Sequence, residues 1–178
     1  MMFSETRLQG VVEVKLERLS DERGFFARTW CQKEFEAQGL NPTLVQCSLS
    51  FNAHEGTLRG MHYQAEPHAE AKLIRCTRGA VYDVVVDLRP QSATYKQWIA
   101  VTLTADERNM VYVPGGCAHG FLSLVDDSEV FYQMSEFYSP ESARGVRWND
   151  SAFQIVWPSP IKVISPRDQN YPDFEKVQ

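Results

Sequence analysis

Apolar and polar residues alternate with a period of two in short, closely spaced runs along this chain, and that pattern confines it to β architecture. Between Val11 and Leu19, the apolar residues Val12, Val14 and Leu16 alternate with Glu13, Lys15 and Glu17, as in a strand with one face in water. Asp21-Glu22-Arg23-Gly24 supplies a turn before the aromatic pair Phe25-Phe26. The segment 32–39 reads as the one short helix, stopped by Gly39. From Ala71 onward two β-rich stretches join at Arg78-Gly79, and Trp98–Leu103, Met110–Val113 and Val130–Met134 add further strands. Such a series predicts a barrel or sandwich with little helix. Prolines at 158, 160, 166 and 172 predict that the chain from about residue 150 wraps the core irregularly, so that 1–178 is read as a single domain.

A length of 178 residues fits one domain by the prior of roughly 150 residues each. Hydrophobic residues at 43% and charged residues at 23% exclude a wholly disordered chain. No run approaches the roughly 18 apolar residues of a membrane span. Charge at Glu5 and Arg7 interrupts the N-terminus before a signal-peptide core forms, which predicts a cytoplasmic protein. The net charge of −5 disfavours nucleic acid as a partner, because that binding is driven by phosphate neutralisation. Cys31, Cys47, Cys76 and Cys117 form no CxxC pair and read as reduced, unpaired thiols.

Two segments put glycine and polar residues where a plain barrel needs neither: GTLRGMHYQ (56–64) and YVPGGCAHGF (112–121). Their spacing resembles the two cupin motifs, which together supply four metal ligands. Gln64 stands where the second histidine of the first motif belongs, and Glu70 comes too late to be its acidic ligand. Two histidines are a poor site for a catalytic metal, which usually takes three protein ligands and an open position. Organic acid–base groups are then expected at the barrel mouth.

Further segments sharpen the resemblance: Arg23-Gly24-Phe25-Phe26, Leu58-Arg59-Gly60-Met61-His62-Tyr63-Gln64, the runs 71–79 and 81–89, Cys117-Ala118-His119-Gly120-Phe121, Tyr138-Ser139-Pro140 and Arg147-Trp148-Asn149-Asp150. Over most of its length the chain resembles the dTDP-4-dehydrorhamnose 3,5-epimerase family of cupins. That resemblance implies an all-β jelly-roll barrel, the double-stranded β-helix of cupins, with short peripheral helices. It also implies a homodimer, no metal or other cofactor, and epimerisation beside the 4-keto group of a nucleotide-linked deoxysugar. The expected reaction takes dTDP-4-dehydro-6-deoxy-D-glucose to dTDP-4-dehydro-L-rhamnose.

Inversion beside a ketone needs a base on one face, an acid on the other, and a charge that holds the enolate oxygen. His62 is the candidate base, because imidazole titrates near neutral pH and can be oriented by a carboxylate. Asp168 resembles the family's partner of that histidine. Tyr132 is the candidate acid on the opposite side, a role expected of a phenol made a better donor by a nearby cation. Lys72 resembles the lysine that faces the keto oxygen, and His119 is read as a hydrogen-bond donor to that oxygen or the ring. Arg59 and Arg23 suit a diphosphate, since a guanidinium fork matches phosphate geometry. Arg59 lies three residues before His62, so on a regular strand the two point to opposite faces unless Gly60 supplies a bulge. The resemblance suggests that Arg23 and Phe26 reach the neighbouring subunit's site. Gln46 and Arg167 are weaker phosphate or sugar candidates, and Tyr138 is a candidate to stack on the nucleobase.

The chain departs from the family pattern at Ser48, Gly115, Cys117 and Ala143. Asparagine is usual at the first, an acidic residue and a phenylalanine at the next two, and an acidic residue near the last. These changes predict a smaller pocket wall that holds a thiol. They fall around recognition and leave open a C3-only or C5-only epimerase acting on a CDP- or GDP-linked 4-keto sugar. A related ketoisomerase would not require Tyr132, and a metal-dependent or sugar-binding cupin is the alternative class.

Overall fold

The computed structural model describes residues 1–174. Its strands in chain order are β1 (Met2–Glu5), β2 (Val12–Lys15), β3 (Leu19–Asp21), β4 (Gly24–Phe26), β5 (Gln46–Asn52), β6 (Thr57–Gln64), β7 (Lys72–Arg78) and β8 (Ala80–Asp87). They continue with β9 (Trp98–Thr104), β10 (Met110–Val113), β11 (Cys117–Ser123), β12 (Ser128–Met134), β13 (Ala143–Gly145) and β14 (Val163–Ile164). Helix α1 (Gln32–Ala37) precedes β5, and α2 (Pro166–Gln169) follows β14. Two six-stranded sheets form a jelly roll. The first runs β1-β2-β10-β7-β12-β5; the second runs β13-β6-β11-β8-β9, with β14 added in parallel to β6. Strands β3 and β4 form a separate hairpin. No helix among the described residues is long and apolar enough to cross a membrane.

The main core lies between the two sheets, where Ile74, Cys76 and Val130 of the first meet Val81, Val85, Leu103 and Phe121 of the second. Each fully buried aliphatic side chain contributes about 1.5–3 kcal/mol. Strand β8 explains why the second sheet is covered on both faces. Val81 and Val85 point into the main core, while Val84 and Val86 pack outward under Val146, Phe153, Trp157 and Phe174. A strand with no wet face reads as a nearly continuous apolar run. The proline-rich C-terminal chain is this outer cover, and it contains two short elements that the sequence pattern did not reveal, β14 and α2. On the other side, α1 buries Phe35 against Val12, Val14, Leu73 and Tyr112. The helix ends where Gly39 takes φ +68°, as expected from its position.

Strand β6 carries the local distortion that matters most. Opposite β11 its register shifts between His119 and Phe121, and Gly60 has φ +123°. A Cβ at Gly60 would sit 2.5 Å from the Gly120 Cα and 2.9 Å from the His119 carbonyl oxygen. Only a glycine permits both the backbone angle and this approach. Strain and overpacking each cost of order 1–3 kcal/mol. Gly60→Ala should therefore lower the melting temperature by about 5–15 °C, at roughly 2–4 °C per kcal/mol in a chain of this size. Gly39→Ala, where nothing lies within 4 Å of the added carbon, carries only the backbone penalty. Equal melting temperatures for the two variants would refute the close-approach account.

Candidate active site

The distortion at Gly60 turns Arg59 and His62 toward one cavity of about 320 Å³ at the barrel mouth. His62 Nε2 lies 2.6 Å from Asp168 Oδ1. The other carboxylate oxygen accepts the Gly60 N–H at 3.2 Å, so the bulge itself helps to seat the acid. Ser165 caps α2 by accepting the Asp168 N–H at 3.1 Å, which fixes the short turn that presents Asp168. Burial tends to raise the Asp168 carboxyl, but the hydrogen bond and charge of His62, with help from Gly60 and Ser165, hold it below the ordinary carboxylate value. The His62 side chain is 39% exposed and that of Asp168 only 6%. The imidazole thus faces the cavity while its carboxylate partner stays behind it.

The opposite wall belongs to the other sheet. Tyr132 lies on β12 and Lys72 opens β7, and both line the same cavity as His62 and His119. Burial pushes the Tyr132 phenol well above its usual value, and the nearby Asp83 charge pushes it further. Contact with Ser50 and the charge of Arg59 oppose this and lose. The cation expected to make this phenol a better donor is present, but desolvation outweighs it. His119 Nε2 sits 2.6 Å from Asp83 Oδ2, and its ring meets that of Tyr132 edge-on at 6.1 Å. Burial raises the Asp83 carboxyl against the attraction of His119 and Lys72. Lys72 Nζ is 2.9 Å from Glu70 Oε1.

Arginines and polar groups frame the rest of the cavity. Arg59 donates through Nε to Asn52 Oδ1 at 2.7 Å and through an NH2 nitrogen to the Phe51 carbonyl at 3.1 Å. Arg167 donates to the Tyr171 hydroxyl at 2.9 Å, and the Tyr171 ring lies where a Cβ on Gly145 would stand, 2.2 Å from its Cζ. Gln46 accepts the Tyr138 N–H at 3.2 Å. Gln64 is spent on the backbone: its amide donates to the His68 and Phe137 carbonyls and its oxygen accepts the Ser139 N–H. No group of three His, Cys, Asp or Glu side chains suited to a metal occurs among the described residues.

Eight of the residues singled out from sequence line this cavity, and Asp168 supports it from behind. Arg23 and Phe26 do not reach it. They lie on the β3–β4 hairpin, where Arg23 pairs with Asp21 at 2.6 Å with its side chain 85% exposed, and Phe26 is 70% exposed. Ser48 and Ala143 line the cavity, but Cys117 does not. It is buried in the main core, where burial pushes its thiol up to about 12. The expected thiol in the pocket wall is therefore corrected: Cys117 opens β11 on the core side. Sequence reasoning missed Asp83, Asn52 and Tyr171, and weighed Glu70 only as a metal ligand. Asp83 had a signal, a carboxylate inside the apolar run of β8, where burial demands a partner.

The family model for dTDP-4-dehydrorhamnose 3,5-epimerase matches residues 5–176 of the chain. The dTDP-4-dehydrorhamnose 3,5-epimerase of Shigella flexneri is 40% identical over 175 residues, covering 98% of this chain and 96% of its own. The crystal structure of the enzyme of that name from Elizabethkingia anophelis superposes with a TM-score of 0.96 at 38% identity, covering 99% of this chain and 97% of that one. The one from Bacillus anthracis, determined with TDP and PPi bound, gives 0.92 at 39% identity, covering 96% and 98%. On sequence and fold together, the chain belongs to the dTDP-4-dehydrorhamnose 3,5-epimerase family.

Proposed function

We propose that the cavity between the two sheets is where this isomerase inverts C3 and C5 of dTDP-4-dehydro-6-deoxy-D-glucose, with His62 as base and Tyr132 as acid. The carrying observation is that these two groups line one cavity from opposite sheets, His62 from β6 and Tyr132 from β12. Inversion requires that separation, because a proton taken from one face of the ring must be replaced on the other.

With Nε2 engaged by Asp168, the remaining ring nitrogen, Nδ1, takes the proton from the carbon next to the ketone. The electron pair moves onto the keto oxygen, where the Lys72 ammonium and the His119 imidazole stabilise the enolate. Tyr132 then delivers its proton to the carbon from the far side, and solvent returns a proton to the phenolate and removes one from the imidazolium. Burial suits Tyr132 to this role, since the phenol holds its proton until a carbanionic centre, far more basic, is formed beside it. Repetition at the second carbon uses the same groups. Arg59 and Arg167 bind the diphosphate, Gln46 assists them, and Tyr138 stacks on the base.

The functional unit is a homodimer in which each 1–178 domain lends its hairpin to its partner. Arg23 and Phe26 lie away from the cavity that holds His62 and Tyr132, and Leu49 and Phe51 leave an exposed apolar strip along the edge strand β5. An exposed edge of this kind is normally covered. A cytoplasmic setting accords with four unpaired cysteines.

Deuterium exchange from heavy water into the nucleotide sugar tests the roles. His62→Ala should abolish exchange while leaving affinity within about tenfold; near-wild-type exchange would remove His62 as base. Tyr132→Phe should allow proton wash-out yet block inverted product, and full product formation would reject it as acid. Shared sites predict complementation: a mixture of inactive Arg23→Ala and His62→Ala chains regains activity, because the hybrid dimer holds one intact site. Failure of exchanged hybrids to recover would place Arg23 outside the partner's site.

Asp168 adds a pH signature. Its carboxyl is held low in the folded chain, so its contribution to stability is complete above the unfolded value of about 3.9 and is lost as pH falls through the folded value. The stability gap between the parent and Asp168→Asn should be widest near neutrality and shrink below about pH 4. A gap independent of pH would show that the carboxylate charge is not what the pair contributes.

A further inference from the structure

Lys72 carries a carboxylate that the proposed chemistry does not use. Glu70 is the only carboxylate among the residues lining the cavity, against the cationic Arg59, Lys72, Arg144 and Arg167. Its Oε1 lies 2.9 Å from Lys72 Nζ, and the two side chains are only 11% and 12% exposed. Pairs so well shielded from solvent escape most of the screening that makes surface ion pairs weak.

The backbone makes this pairing a built feature. Glu70 and Lys72 are two residues apart, so an extended chain points both the same way. The intervening Ala71 points away, into the core around Phe35. Its N–H donates to Ser135 Oγ at 2.8 Å, and its carbonyl accepts the Ser135 N–H at 3.0 Å. Lys72 itself is held in the ladder opposite Val113 and Met134. The segment is thus pinned on both sides, while the lysine side chain still has four rotatable bonds and shares its cavity with three guanidinium groups of like charge. An ammonium placed only by its stem would lose much rotamer freedom on binding an oxygen.

We propose that Glu70 is the positioning residue for Lys72: it anchors one ammonium proton and leaves the other two directed at the substrate's keto oxygen. The assignment rests on the reading of Lys72 as the group that stabilises the enolate. Glu70 acts on the transition state, where charge gathers on that oxygen, and has little part in holding the nucleotide, which the arginines bind.

Steady-state epimerisation and deuterium exchange test this with Glu70→Gln, Glu70→Ala, Lys72→Met and the double variant Glu70→Gln/Lys72→Met. Glu70→Gln keeps shape and an acceptor oxygen but not the charge; its kcat should fall about tenfold with KM within about threefold. Glu70→Ala should fall further, about a hundredfold. The double variant should be no slower than Lys72→Met alone, since Glu70 acts only through the lysine. Unchanged kcat in Glu70→Gln beside a crippled Lys72→Met overturns this assignment and leaves the role of Lys72 standing. Multiplying losses in the double variant, or a loss confined to KM, overturn it as well. A Lys72→Met variant that exchanges at the parental rate removes both the assignment and the reading beneath it.

Discussion

The contact on which the site depends is the approach of two glycines, Gly60 and Gly120, on neighbouring strands of one sheet. At this point β6 and β11 come closer than any side chain would allow, and the ladder slips by a residue. The slip changes the face that β6 presents. Without it, Arg59 and His62 would fall on opposite faces of the strand. With it, both line the cavity, and the Gly60 N–H is freed to donate to Asp168. One backbone irregularity therefore places Arg59, His62 and Asp168 together, in keeping with the recurrence of bulges beside active sites.

Buried charge is the second constraint, and the protein meets it in three ways. Asp87 is fully buried at the end of β8; burial tends to raise it, but hydrogen bonds from Arg89, Ser92 and Thr94 overcome this and hold its carboxyl far below the usual range. Asp168 has a partly exposed histidine and a backbone N–H. Asp83 has His119 on one oxygen and no hydrogen bond on the other, and burial wins, so its carboxyl is raised. Position along the barrel thus grades three aspartates from structural clamp to site component. The first holds Ser92 directly and the Gln9 carbonyl through Arg89, whereas the last bonds His119 in the cavity wall.

Strand positions were legible wherever one face is wet or a turn intervenes. The alternation around Val12 and Val14, the Arg78-Gly79 joint and the Gly39 stop all correspond to elements, because each is decided by local pattern or a single φ. The two elements of the outer wrap were illegible for the converse reason. Strand β14 is two residues long and exists only because β6 offers an edge beside Thr57 and Leu58, and α2 is a single turn held by the Ser165 cap. In the site, histidines and arginines stood out by motif, while Asn52 and Glu70 did not: nothing in their flanking residues signals that Arg59 or Lys72 will need them. Cys117 was misplaced because a motif position gives the residue but not the face of β11 on which it falls.

The two walls of the cavity also impose different environments on His62 and Tyr132. His62 stands on the second sheet, its side chain 39% exposed and its Nε2 held 2.6 Å from Asp168. Tyr132 stands on the first sheet, desolvated and close to Asp83, so its neutral form is favoured. The buried phenol keeps its proton until a stronger base appears beside it. Because each wall is a hydrogen-bonded sheet packed on the other through a common core, the separation between His62 and Tyr132 is set by the barrel itself. A ring bound between them would meet His62 on one side and Tyr132 on the other, which is the arrangement the proposed two-face proton transfer requires.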